Sequence, residues 1–126
     1  MARRPGTGMR WLLFSVSGRL SRRTYAWAIL FWSLVLAVPV SGAVQATPDS
    51  SAMAMAGLGF ILAFLPFAWS IAVMSIKRLH DAGLPGILVG VLVVPAASFF
   101  MLLIIMVWPS VKGPNRHGPG PDQPGY

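Results

Sequence analysis

The chain has 126 residues, of which 56% are hydrophobic and only 10% charged, and its formal net charge is +7. A soluble domain carries about 25% charged residues, so this composition excludes an ordinary soluble globular protein and points to a membrane. With no cysteine there are no disulfides or thiolate metal sites. The basic excess flanks apolar runs, which makes an anionic membrane surface, and not nucleic acid, the expected partner.

Residues 1–24 hold six arginines (Arg3, Arg4, Arg10, Arg19, Arg22 and Arg23) and no acid. They read as a basic N-terminal and interfacial segment, with Trp11 and Phe14 dipping toward the bilayer. Ser21 is a good N-cap for a first span at about 25–44, and Tyr25 and Trp27 fall at headgroup level. A 20-residue apolar run is long for a signal peptide, so a retained span is expected. Pro39 kinks or closes its far end, and a short polar turn containing Pro48 and Asp49 follows.

The second span, 52–76, is 25 residues without a charge. As a helix it would be ~37 Å long, so it must tilt or protrude. Ala52, Ala56, Gly59 and Ala63 give it close-packing positions, and Pro66 interrupts its ladder. A polar heptad, Lys77–Gly83, then separates it from a third apolar run with no charge between Leu84 and Val111. That run is expected to form a third span at 84–108. Gly86 and Gly90, extended backward by Ala82, form a small-residue stripe for helix packing. Pro95 lies at its centre, and two readings exist: one kinked span, or the bottom of a re-entrant hairpin. The kinked span is preferred, because a break inside the bilayer needs polar lining and Ala96, Ala97 and Ser98 offer little. Residues 110–126 form a Gly/Pro-rich tail with loop chemistry.

The expected fold is therefore an all-α membrane protein with three transmembrane helices in a domain spanning 25–109. Basic residues number six before the first span, none in the first loop, two in the second (Lys77, Arg78) and two in the tail (Lys112, Arg116). The positive-inside rule then puts residues 1–24 and 77–83 in the cytoplasm. Three full spans would leave the tail outside, whereas a hairpin at Pro95 would return it.

Three separated stretches resemble one family. The first is Phe14-x3-Gly18-Arg19-x2-Arg22-x2-Tyr25. The second is Lys77-Arg78-Leu79-His80-Asp81-x-Gly83-x2-Gly86, the most specific of the three. The third is Gly113-x-Asn115-Arg116-x-Gly118-Pro119-x-Pro121. In order and spacing they are similar to the small bacterial inner-membrane family known as domain of unknown function 805. Lys77, Pro85 and the Ile87-Leu88 pair depart from its usual residues. The resemblance implies a multi-pass protein of the bacterial inner membrane and no particular activity. It also makes Gly18, Arg19, Arg22, Arg78, His80, Asp81, Gly83, Asn115 and Gly118 the candidate motif residues.

Catalysis is not expected. His80 and Asp81 are consecutive, so on a helix they do not face each other, and no nucleophile accompanies them. His80 and His117 are too far apart in sequence to suggest a metal site, and no cofactor is expected. The spans hold no Asp, Glu, Lys, Arg or His, which argues against a coupled carrier. The expected role is non-catalytic: a membrane assembly or interaction protein contacting anionic lipid, with a homo-oligomer or membrane-protein partner. The alternative is a subunit of an oligomeric transporter or channel. Asp81 sits among arginines beside an anionic surface, which calls for an arginine partner, Arg19 or Arg22. Partial exposure would hold that pair to ~1 kcal/mol and leave His80 and Arg78 facing headgroups or a partner.

Overall fold

The computed structural model describes residues 8–126, so what is expected of Arg3 and Arg4 lies outside the described residues. The described residues fold into α1 (Met9–Phe14), α2 (Arg22–Gln45), α3 (Ser51–Asp81), a 3-10 helix (Gly86–Val93) and α4 (Pro95–Val107). They contain no strand, only two isolated bridges, Arg19 to Gln123 and Asn115 to Gly118.

Local chemistry sets the helix ends. The Ser21 hydroxyl accepts from the Thr24 amide at 3.2 Å, and Ser50 accepts from the Met53 amide at 3.1 Å, so each long helix opens on a serine cap. Pro39 and Pro66 end neither helix: α2 runs on to Gln45 and α3 to Asp81. At 1.5 Å per residue the two are ~36 and ~46 Å long, more than the ~30 Å of a bilayer core. The pair is antiparallel, joined by a short turn in which Asp49 takes a positive φ of 57°. Near that turn the packing is close and within the chain. An added Cβ at Gly42 would lie 3.6 Å from Ala56, and one at Gly59 would lie 3.6 Å from Pro39.

Both helices are long and apolar enough to cross a membrane. Phe31, Leu34, Val38, Leu58, Ile61 and Leu65 all face outward. Water wets such a surface only at a cost that a lipid environment removes. The fold is that of a helical membrane protein.

The stretch after α3 differs from the single kinked span preferred from sequence. Residues 84–108 are two arms, not one helix. The 3-10 arm is ~16 Å long at its 2.0 Å rise, and α4 is ~20 Å, so each covers only part of a bilayer core. The arms are joined at Val94, which is extended (φ −90°, ψ 114°), and Pro95 is the first residue of α4. A proline excludes helical geometry from the residue before it and suits a helix's first position, so Pro95 starts a helix here and does not bend one. The polar groups at the break are met locally. The Ser98 hydroxyl donates to Pro95 O at 2.7 Å, and the Ser98 amide to Val94 O at 2.7 Å.

Both ends of this hairpin meet at the end of α3. The Leu84 amide donates to Leu79 O, and the Val111 amide to Asp81 O, each at 2.8 Å. The tail therefore lies at the same end of the bundle as residues 8–24. The small-residue stripe does not form either, because a 3-10 helix turns in three residues and does not align positions four apart. An added Cβ at Gly86 would sit 2.9 Å from both His80 and Ile76 of the same chain, whereas Gly90 has open space beside it.

This arrangement makes a labelling prediction. Single cysteines at Gly8→Cys and Tyr126→Cys should react with an impermeant thiol reagent from one side of sealed vesicles, and Thr47→Cys only from the other. Labelling of Tyr126→Cys together with Thr47→Cys would restore a third full span.

Candidate functional site

The three motif stretches, far apart in sequence, close over one buried carboxylate at the motif end of the bundle. Asp81 is the last residue of α3 and fully buried. Arg19 Nε donates to its Oδ1 at 3.0 Å, and Arg78 Nη1 to its Oδ2 at 2.9 Å. The Ser110 hydroxyl also donates to Oδ2. Both guanidinium groups are as buried as the carboxylate.

The second positive charge needs its own compensation, and backbone carbonyls supply it. Arg19 Nη1 donates to Gly113 O and Nη2 to Val111 O, both at 2.6 Å. Arg78 Nη2 donates to Trp108 O, and Arg22 Nη1 to Val107 O at 3.3 Å. Val107 and Trp108 end α4, so two arginines cap the negative pole of that helix and satisfy its last carbonyls. Arg78 Nε is buried without a hydrogen-bond partner among the described residues.

The tail is stitched on from both sides. The Arg19 amide donates to Gln123 O at 3.0 Å, and the Ser21 amide to Asp122 Oδ1 at 3.0 Å. Asn115 Nδ2 donates to His80 O at 3.0 Å, and its Oδ1 accepts from the His117 amide at 2.8 Å. Gly118 is buried against Arg19. Gly18 has φ +100°, and an added Cβ would strike Gln123 O, so glycine is required there on two counts. Gly83 has φ +77°, with Val111 where a side chain would go.

His80 does not face outward. Its Nδ1 donates to Gly18 O at 3.1 Å, and its ring lies flat on His117, with centroids 3.9 Å apart and planes 3° from parallel. Arg116 Nε donates to His117 Nε2 at 3.1 Å. Burial, then His80, Arg116 and Arg19, push the His117 pKa below its ordinary value of 6.5.

The structure thus pairs Asp81 with Arg19, sends Arg22 to the end of α4, and adds Arg78, which sequence reasoning left at the surface. The pair is also fully buried, so the partial exposure expected from sequence does not apply. Lys77 was absent from the candidates. It is fully buried, donates to Trp11 O at 2.8 Å and to Leu12 O, and lies 4.4 Å from the centre of the Trp11 ring. Trp11, expected to dip toward the bilayer, is instead buried within the protein, while Phe14 is exposed. The Tyr25 hydroxyl, 2.8 Å from the Ser75 Oγ, is a second buried polar pair missed from sequence. A lysine directly after an apolar run, and a serine two residues before it, were the signals available. No group of three or more metal-ligating side chains exists among the described residues.

The fold and site define a helical membrane protein whose motif residues build a polar cap over one end of its bundle. Residues 13–119 match the family described as "Protein of unknown function (DUF805)", and the chain belongs to that family. No curated protein and no solved structure matches it.

Two predictions follow from the cap's geometry. Asp81→Asn leaves two buried guanidinium groups facing no carboxylate and should cost ~3–5 kcal/mol of stability in detergent. Arg19→Gln should cost less, and the double change less than the sum, whereas an additive cycle would mean no coupling. The second concerns pH. A histidine whose folded pKa is lowered leaves the unfolded chain to bind the proton first. Its stabilisation is present above pH ~6.5 and is lost as pH falls through that value toward the lowered folded pKa. Melting temperature should fall accordingly, and His117→Phe, which keeps a flat ring but cannot protonate, should flatten the slope. An unchanged slope would show that His117 has the same pKa in the folded and the unfolded chain.

Proposed function

We propose that this chain is a multi-pass protein of the bacterial inner membrane, with both described ends cytoplasmic, and that it acts as a non-catalytic assembly or interaction module engaging anionic lipid. The observation that carries the reading is the sidedness of charge. All eight described basic residues, from Arg10 to Arg116, lie at the motif end of the bundle, while the 46–50 turn carries only Asp49. By the positive-inside rule the motif end is the cytoplasmic one.

Chemistry at the cap supports an interaction role over a catalytic one. Asp81 is held as an ion-pair anchor by two arginines and Ser110, and His80 spends Nδ1 on Gly18 O. A general base must reach a substrate proton; Asp81 is fully buried, and the half-buried His80 ring lies flat on His117. Arg10, Arg22, Arg23, Lys112 and Arg116 remain exposed around the rim. A ring of cations at headgroup level favours anionic lipid by ~1 kcal/mol per residue.

Thermal stability of the purified protein in nanodiscs tests the reading. Phosphatidylglycerol should raise the melting temperature relative to phosphatidylcholine. Replacing Arg22, Lys112 and Arg116 with Gln should shrink that difference. Equal melting temperatures in the two lipids would remove the anionic-lipid reading, and solute flux through proteoliposomes would favour a transport role.

A further inference from the structure

Beneath α1 lies an apolar cavity of about 510 Å³, walled by Leu12 and Leu13 of α1, by Trp27, Ala28 and Phe31 of α2, and by Met74 of α3. We propose that it is a specific binding groove for one acyl chain of an anionic glycerophospholipid, with the phosphate held between Arg10 and Arg23. The proposal rests on the lipid-engaging reading above and goes further, from general attraction to a single site.

Three observations carry it. The first is that the wall is rigid. A six-residue helix is too short to persist by its own hydrogen bonds. Here α3 holds it: Lys77 takes the Trp11 and Leu12 carbonyls, and Trp69 Nε1 donates to Leu13 O at 3.0 Å. The second is depth. Trp69 lies eight residues, ~12 Å of helix rise, further into the bundle than Lys77, and α1 is hydrogen-bonded to both, so it lies along α3 between those two levels. Its end carbonyls are met by side chains, as an apolar surrounding requires. The groove therefore opens at acyl-chain level.

The third is charge. Arg23 stands one turn before Trp27 on α2, and Arg10 one turn before Leu13 on α1, so each wall carries a cation at its cap-facing end. Both arginines are exposed, and among the described residues neither makes a salt bridge to a carboxylate. Cations above and an apolar slot below match an anionic headgroup with a chain attached. The slot alone would suit a helix of a second copy, but that would leave Arg10 and Arg23 without a counter-charge.

Native mass spectrometry of the full chain, released from detergent with phosphatidylglycerol or phosphatidylcholine as the probe, tests this. One phosphatidylglycerol should remain bound, retained about tenfold more tightly than phosphatidylcholine. Ala28→Phe, which fills the slot, and Arg10→Gln with Arg23→Gln should each abolish that retention. Lys112→Gln with Arg116→Gln should keep it. Because Ala28 also packs on the core, Met9→Trp at the exposed rim is a second slot-closing variant that spares the fold. Retention of phosphatidylglycerol by both slot-closing variants would overturn the groove while leaving rim attraction standing. Equal retention of the two lipids by the unaltered protein would overturn both. A dimer that dissociates in Met9→Trp would assign the slot to a second copy instead.

Discussion

Burying one carboxylate between two guanidinium groups is the constraint from which the rest of this structure follows. Asp81 cannot be ionised and dry without partners, and it draws them from three places: Arg19 before α2, Arg78 on α3 and Ser110 after α4. Two buried cations then face one buried anion, and the imbalance is met by carbonyls at Trp108, Val111 and Gly113. Those carbonyls exist at that spot only if α4 ends there. The charge balance of the cap thus requires the last apolar segment to return to the end where it began.

The hairpin is the fold's answer to that requirement. A third full span would carry Trp108 to the far side of the bilayer and strand Arg78 without its acceptor. Pro95 makes the return feasible by starting a helix immediately after an extended Val94, and Ser98 covers the polar groups at the break. Buried ion pairs are poor sources of net stability compared with apolar packing, but removing one partner is costly. Such a network is suited to fixing one register among several. Here that register joins three chain segments that meet again where His80 bonds Gly18 O and stacks on His117.

Much of this was legible from sequence. The long helices, the serine cap at Ser21, and the need of Asp81 for an arginine all follow from local chemistry. Arg19 was one of two named partners. What was not legible depends on acceptors that sequence does not display. Arg78 was assigned to the surface because its compensating groups are backbone oxygens of a distant helix end. Lys77 was overlooked for the same reason, since its partners are carbonyls of α1. The tail has no hydrophobic period to read, yet the Asn115 and Asp122 side chains and the Gln123 carbonyl bond to main-chain groups of the cap, and Gly118 packs on Arg19. At Pro95 the sequence offered a kink and a hairpin, and only the carbonyls needed by the arginines separate them.

Asp81 holds the tail against the start of the first long helix, and the absence of cysteine from the chain allows a direct measurement. A Cβ placed on Gly125 lies 3.4 Å from Ser17 Cβ, close to the roughly 3.5–4.5 Å spanned by a disulfide. Ser17→Cys with Gly125→Cys should cross-link readily under mild oxidation in membranes, and the yield should collapse when Asp81→Asn is added. A yield unaffected by Asp81→Asn would show that the tail docks without the carboxylate. No cross-link in the parent pair would show that it does not dock there at all.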